Sequence, residues 1–173
     1  MAVSLKSPEQ VGHIRQAAEY VGRVLTALGE AIRPGISTGE LDDIAVGLCS
    51  EWGVEAAFKG MYGFPKSVCI SVNEEVVHGI PSHDRVLVEG DIVSCDFGVR
   101  CNGFFGDAAR TWAVGEVSPE ASRLMDVTWE SLQRAIEQCR PGKRIGDIGH
   151  AVQSYVEGEG YGVVRDFVGH GIG

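Results

Sequence analysis

The stretch DIVSCDFGVRCNGFFGDAARTWAV, from Asp91 to Val114, decides the fold of this 173-residue chain. Two runs rich in β-branched and aromatic residues flank the dipeptide Asn102-Gly103. This dipeptide between such runs is the strongest short signal for a two-residue β-hairpin turn. The sequence therefore predicts an antiparallel hairpin in which Cys101 lies opposite Phe104.

The register of this hairpin brings two aspartates together. Counting back from the turn places Asp96 opposite Ala109 and Gly98 opposite Asp107. Because side chains alternate between the faces of a sheet, Asp96 and Asp107 project from the same face as diagonal neighbours, with Cα atoms roughly 7–8 Å apart. Two carboxylates at that separation can converge on a pair of metal ions about 3.5–4 Å apart.

Two solvated aspartates on an exposed face are the alternative interpretation. Apolar neighbours oppose it: Ile92, Val93, Cys95 and Phe97 around Asp96, and Phe105, Ala108 and Trp112 around Asp107. Aspartate is disfavoured in strands, and two buried carboxylates repel each other so that one stays protonated. A divalent cation removes this conflict, so the pattern favours a metal site.

Helical patterns lie on both sides of the hairpin. The segments Ser7-Pro8-Glu9-Gln10 and Ser37-Thr38-Gly39-Glu40 have the spacing of capping boxes. They predict two helices, which Pro34-Gly35 and Gly53 end. A third helix begins at Ser118-Pro119-Glu120, and a fourth runs from about Ile145 to Glu157. The spacing of the third helix predicts that it buries Leu124, Thr128, Leu132, Ala135 and Cys139.

The predicted strands and helices occur in a repeated order. The strands are expected at Val54–Phe58, Ser67–Val72, Asp91–Arg100, Phe104–Val114 and Tyr161–Val168. Ser7-Pro8-Glu9 is matched by Ser118-Pro119-Glu120, and Arg33-Pro34-Gly35 by Arg140-Pro141-Gly142. The sequence thus indicates one α+β domain built from a duplicated unit, with the first repeat in 1–117 and an incomplete second repeat in 118–173. Coincidence remains the alternative, because helix starts and stops are simple patterns.

Composition narrows the class of protein. Hydrophobic residues make up 44% and charged residues 23% of the chain, which is typical of a globular domain. The net charge of −9 disfavours nucleic-acid binding. No apolar run approaches the ~20 residues of a membrane span, and the start lacks a signal-peptide pattern, so a cytoplasmic location is expected. The five cysteines contain no CxxC and are expected to be reduced.

Two histidines lie in suggestive surroundings. His170 stands between glycines in the segment 167–173, where glycine allows close backbone approach. His78 ends an apolar run and precedes Gly79-Ile80-Pro81. Taken alone, each pattern is more typical of a hydrogen-bonded structural histidine than of a ligand or a catalytic group.

Together these segments resemble the type I methionine aminopeptidases. The resemblance rests on His78-Gly79-Ile80-Pro81, on Asp96 followed by Asp107, on Gly169–Gly173 and on Tyr62–Glu74. It covers essentially the whole chain. Because that family has a duplicated α+β "pita-bread" fold, the resemblance implies this fold, which the internal repeat suggests independently.

The resemblance also implies a dinuclear metal site. Asp96 would chelate one metal ion, Asp107 would bridge two, and His170 would ligate the other. The cofactors would be two divalent ions of cobalt, manganese, iron, zinc or nickel. His78 would act as a catalytic residue that hydrogen-bonds the substrate near the scissile amide. The family needs two glutamates and a second histidine beyond this segment, so the chain of 173 residues is expected to be inactive and poorly stable.

A methionine pocket is implied beside this site. Its lining would come from the loop 58–69, through Phe58, Met61, Phe64 and Cys69, together with His78. Met61 and Phe64 stand where the resemblance leads us to expect tyrosines.

The implied activity is removal of the initiator methionine from nascent proteins with a small second residue, by attack of a metal-activated water. The partners would be nascent peptide N-termini that begin with methionine, with association to the ribosome as a further expectation; the protein would be monomeric and bind no nucleic acid or membrane. A proline-specific peptidase of the same fold is the first alternative. A catalytically inert binding protein, or an inert fragment, is the second.

Overall fold

The computed structural model describes residues 4–166 and 169–172. The chain forms two compact units, one of Met1–Val117 with Gly171–Gly173 and one of Ser118–His170. The first contains α1 (Pro8–Ala31), α2 (Thr38–Trp52), β1 (Glu55–Ala56), a 3₁₀ turn (Met61–Gly63), β2 (Cys69–Val72), β3 (Ile92–Cys101) and β4 (Phe104–Ala113). The second contains α3 (Pro119–Glu137) and α4 (Ile145–Gly158). Within the described ranges, no helix has the length and apolar character to span a bilayer.

Both predicted capping boxes form. The Ser7 hydroxyl accepts a hydrogen bond of 3.2 Å from the Gln10 N–H, and the Gln10 side chain accepts one of 2.8 Å from the Ser7 N–H. Ser37 and Glu40 make the same reciprocal pair at 3.2 and 2.9 Å. These bonds satisfy N–H groups that have no partner inside the helix. Donation from the Ser37 backbone and hydroxyl also lowers the pKa of the Glu40 carboxyl.

The hairpin has the predicted register. Cys101 pairs with Phe104, Asp96 with Ala109, and Gly98 with Asp107. The turn residues Asn102 and Gly103 have φ values of 53° and 82°. Positive φ at both central positions is what a type I′ turn, common in two-residue hairpins, requires.

Strand β3 is the centre of the sheet. It pairs with β4 along one edge, while β1 and β2 share its other edge in antiparallel pairing. In this pairing Glu55 lies opposite Arg100, and Cys69 lies opposite Asp96. The row across the middle of the sheet is therefore Cys69, Asp96 and Ala109.

Helix α1 covers one face of this sheet. The residues of β3 that point toward it are fully buried: Val93, Cys95, Phe97 and Val99. They form one core cluster with Val21, Val24, Leu25 and Leu28 of α1. Complete burial of a large aliphatic or aromatic side chain stabilises a fold by about 1.5–3 kcal/mol. The core of the first unit therefore lies between α1 and this face, and the opposite face, called the acidic face here, carries Asp96 and Asp107.

The predicted buried face of α3 is wrong. The helix buries Val127, Ser131 and Ala135, while Leu124 and Leu132 are 38% and 45% exposed. Thr128 and Cys139 are also exposed, so Ala135 is the one predicted residue that is buried. Within its unit α3 packs against α4. Helical periodicity identifies an apolar stripe but not which part of it a neighbour covers.

The predicted strand Tyr161–Val168 is also wrong where it can be compared. Residues 161–166 form no strand, and residues 167–168 lie outside the described residues. A strand is stabilised by the ladder that it makes with a neighbour. In the described part of the unit Ser118–His170 the elements are helices, so an extended apolar run finds no ladder there.

We expect Gly106→Ala to destabilise the fold. A Cβ at Gly106 would lie 2.6 Å from the carbonyl carbon of Ala17 and 2.6 Å from the backbone nitrogen of Ala18, so α1 would have to move away from β4. Overpacking of this kind costs about 1–3 kcal/mol. The matched control is Gly47→Ala in α2, where nothing lies within 4 Å of the added carbon. Urea unfolding of the full-length protein should show a loss for the first variant and no loss for the second, and equal effects would contradict this account.

Candidate metal and substrate site

The two aspartates of the acidic face lie in one half-buried patch. Asp96 and Asp107 occupy diagonal positions of the β3–β4 ladder and are each partly accessible. Cys69 lies opposite Asp96 and is 6% exposed. Burial raises the pKa of its thiol to about 12, and the negative charges of Asp96 and Asp107 contribute to this rise. Both carboxylates therefore act on the same buried thiol.

The donor atoms of this patch suit a divalent cation. Carboxylate oxygens bind hard and borderline divalent metals, and a cation would offset the repulsion between two neighbouring carboxylates. In the described residues no group of three or more histidine, cysteine, aspartate or glutamate side chains is assembled that could hold a metal ion. The patch thus offers two carboxylates, a kind of donor group that suits a divalent metal.

His78 is held at the edge of the sheet by its neighbour Gly79. The Gly79 carbonyl accepts a hydrogen bond of 2.9 Å from the Ile70 N–H, and the Gly79 N–H donates one of 3.1 Å to the Ser71 hydroxyl. A Cβ on Gly79 would collide with the Ile70 carbonyl group, so only glycine permits this approach. His78 itself has a φ of 62°, a left-handed conformation that is costly for a residue with a side chain. The loop is therefore fixed against β2 beside Cys69, and the His78 side chain is exposed.

The predicted pocket residues fall into two groups. Phe58 follows β1 and is half-buried, and Cys69 is buried on the acidic face. Met61 and Phe64 belong to a tight turn in which the Gly60 N–H donates to the Phe64 carbonyl at 2.8 Å. Met61 is 46% exposed, whereas Phe64 is half-buried. The structure thus places Cys69 beside the aspartates and Met61 at the surface of the turn.

His170 is the last residue of the second unit and is exposed. Asp96 and Asp107 belong to the first unit. Convergence of His170 with the two aspartates therefore stays a prediction.

Two glycines have positioning roles that their sequence positions alone do not reveal. Gly79 brings the His78 loop onto β2, and Gly98 faces Phe58 on the acidic face. A glycine inside a strand or next to a candidate histidine is a recognised signal of close approach. That signal does not identify the group that approaches the glycine. The approaching group is known only from the three-dimensional contacts.

Comparison with known proteins identifies relatives along the whole chain. The model of Metallopeptidase family M24 matches residues 12–173. The methionine aminopeptidase of Clostridium acetobutylicum is 50% identical over 171 residues, which are 99% of this chain and 68% of that protein. The crystal structure of methionine aminopeptidase from Thermotoga maritima superposes with a TM-score of 0.96 at 39% identity, covering 99% of this chain and 69% of that chain.

Proline-specific enzymes are more distant. The structure of an X-Pro aminopeptidase from Thermotoga maritima gives a TM-score of 0.78 at 23% identity and covers 98% of this chain and 47% of that chain. At this identity the likeness shows the fold alone. The pita-bread fold implied by the sequence resemblance is confirmed by these superpositions, and this chain spans about two thirds of the length of the methionine aminopeptidases it matches. It belongs to metallopeptidase family M24 and, within that family, to the methionine aminopeptidases.

Proposed function

We propose that this protein, when the further metal ligands that its family needs are present, removes the initiator methionine from nascent proteins whose second residue is small. The observation that carries the proposal is the acidic face itself, where Asp96 and Asp107 lie on one half-buried patch within a chain 50% identical to a methionine aminopeptidase. Two carboxylates on one face, with a histidine-bearing loop fixed against β2, are among the groups that metal-assisted amide hydrolysis uses.

Asp96 and Asp107 would hold the metal ions of this family, with His170 as a further ligand. Divalent ions in such a site polarise the scissile carbonyl and lower the pKa of water to supply a nucleophile near neutral pH. The residues of this chain would position the substrate around them. The metal can be cobalt, manganese, iron, zinc or nickel, because oxygen and imidazole ligands accept each of these ions.

His78 would bind the substrate and not the metal. Its loop is fixed to the edge of β2 by the two Gly79 hydrogen bonds, which hold the backbone next to His78 against the strand that carries Cys69. From there it would donate a hydrogen bond to the scissile amide. Such a fixed donor is useful when charge develops on the reacting group, because no reorganisation is needed at that moment.

The methionine side chain would lie against the apolar residues around the same face. Cys69 supplies a small buried side chain opposite Asp96, and Phe58 supplies a half-buried aromatic ring. Thioether groups make favourable contacts with aromatic rings. If this pocket is closed around the substrate, it leaves little room near the scissile bond, and a small second residue is then expected.

We expect Asp96→Asn and Asp107→Asn to lower metal binding in the full-length protein. Each change removes a charged ligand and leaves the size of the side chain almost unchanged, so the fold should persist. Metal stoichiometry after dialysis, measured by inductively coupled plasma mass spectrometry, should fall for both variants and stay unchanged for the exposed control Asp84→Asn. Full metal content in both aspartate variants would refute their role as ligands.

We expect His78→Ala to lower kcat/KM by about 10²-fold or more, the loss typical of removing one preorganised hydrogen-bond donor. Metal content should stay intact, because the side chain acts on substrate. His150→Ala on the exposed surface of α4 is the matched control and should keep full activity. Loss of metal in proportion to the loss of activity would make His78 a ligand instead.

We expect the full-length, metal-loaded protein to release methionine from Met-Ala peptides and to leave X-Pro peptides intact. The test is a parallel assay with added manganese or cobalt and with peptides that differ only in the first two residues. Cleavage of X-Pro but not Met-Ala peptides would replace the proposal by the proline-peptidase alternative. Cleavage of neither would favour an inert binding protein.

A further inference from the structure

Gly98 lies at the centre of the acidic face and has no conformational reason to be glycine. It is two residues beyond Asp96 on β3 and directly opposite Asp107 on β4, so any side chain there would project from the same face, next to both carboxylates. It lies within a regular strand and is not among the residues with positive φ. Glycine weakens a strand because it has no side chain to pack, and in this position it commonly marks close approach of another group.

The group that approaches Gly98 is the Phe58 ring. A Cβ built on Gly98 would lie 2.7 Å from Phe58 Cε1 and 3.3 Å from Phe58 Cδ1. The nearest other atom, the Cβ of Ala57, would be 3.3 Å away. The ring therefore occupies the space that a side chain at position 98 would take, and it lies against the bare backbone beside Asp107.

Backbone hydrogen bonds hold the chain on both sides of the Phe58 ring. The Ala57 N–H donates to the Gly98 carbonyl at 2.8 Å, so the residue before Phe58 is hydrogen-bonded to β3 at Gly98 itself. On the other side the Met61 N–H donates to the Phe58 carbonyl at 3.0 Å. Because both sides of Phe58 are held, a larger residue at position 98 cannot be accommodated by a simple swing of the loop. The ring would have to move outward over the acidic face.

We infer that Gly98 is a specificity-determining residue, which sets the depth of the apolar slot that Phe58 forms beside the two aspartates. This role rests on the proposed function, because Gly98 would shape the proposed methionine pocket from behind the Phe58 ring. Phe58 is only partly buried, so the accessible part of its side chain is left to contact the first side chain of the substrate. A ring lying on bare backbone leaves a slot long enough for an unbranched chain such as that of methionine. A ring pushed outward shortens this slot.

The experiment measures kcat and KM of the full-length, metal-loaded protein on Met-Ala-Ser and on norvalyl-Ala-Ser, whose first side chain is shorter. Gly98→Ala should raise KM for the methionyl peptide by about tenfold, as expected when an apolar pocket loses about one methylene of room. The norvalyl peptide should lose less, and kcat should change little. Adding Phe58→Leu to Gly98→Ala should restore the preference for methionine, because the smaller side chain vacates the space.

Two further measurements separate this inference from the function on which it rests. Isothermal titration with free L-methionine and L-norvaline measures the affinity of the slot for each side chain without turnover. If the wild-type protein fails to cleave Met-Ala-Ser, the proposed function is refuted. The inference about Gly98 is then still decided by these two affinities. Phe58→Leu alone should widen the slot and admit a phenylalanyl peptide, which decides the matter if Gly98→Ala does not fold. An unchanged ratio between methionyl and norvalyl peptides in Gly98→Ala, or an equal loss on both without rescue, overturns the inference. Gly47→Ala is the control for adding one methyl group and should match the wild type.

Discussion

The register of the β3–β4 hairpin is the constraint on which the rest of the first unit depends. Asn102 and Gly103 both adopt positive φ, and this turn fixes Cys101 opposite Phe104. Since the side-chain period of a strand is two residues, a slip of one position would turn every side chain to the other face. Asp96 would then enter the apolar layer under α1, and Phe97 would leave it. One two-residue turn thus sets both the hydrophobic core and the acidic face.

Three glycines let neighbouring segments reach this sheet closely. Gly106 admits the backbone of α1, Gly79 brings the His78 loop against Ile70, and Gly98 receives the Phe58 ring. None of the three is among the residues with positive φ, so each is explained by space and not by backbone conformation. Gly106 serves the core, whereas Gly79 and Gly98 serve the candidate site. The same feature, close packing against a residue without a side chain, therefore occurs both in the core and at the candidate site.

What the sequence predicts correctly is local. The capping boxes at Ser7 and Ser37 and the hairpin register each depend on residues a few positions apart, and all three form as predicted. The buried face of α3 is wrong because an apolar stripe does not reveal its partner, and Leu124 and Leu132 remain accessible. The meeting of Phe58 with Gly98 joins residues forty positions apart in different elements. No periodicity or capping rule reports such a contact, so it is found only in three dimensions.

The residues that form the hydrophobic core and the candidate metal-binding aspartates lie on opposite faces of the sheet. The fully buried residues Val93, Cys95, Phe97 and Val99 face α1 and do not touch the side that carries the aspartates. On that side Asp96 and Asp107 hold two like charges as diagonal neighbours in a half-buried patch, and their Coulombic repulsion opposes folding. A bound cation would offset this repulsion only when the hairpin is formed, because the diagonal pair exists only in the folded state. Folding and cation binding are then linked, and the core under α1 must be strong enough to hold the two carboxylates together before any cation arrives.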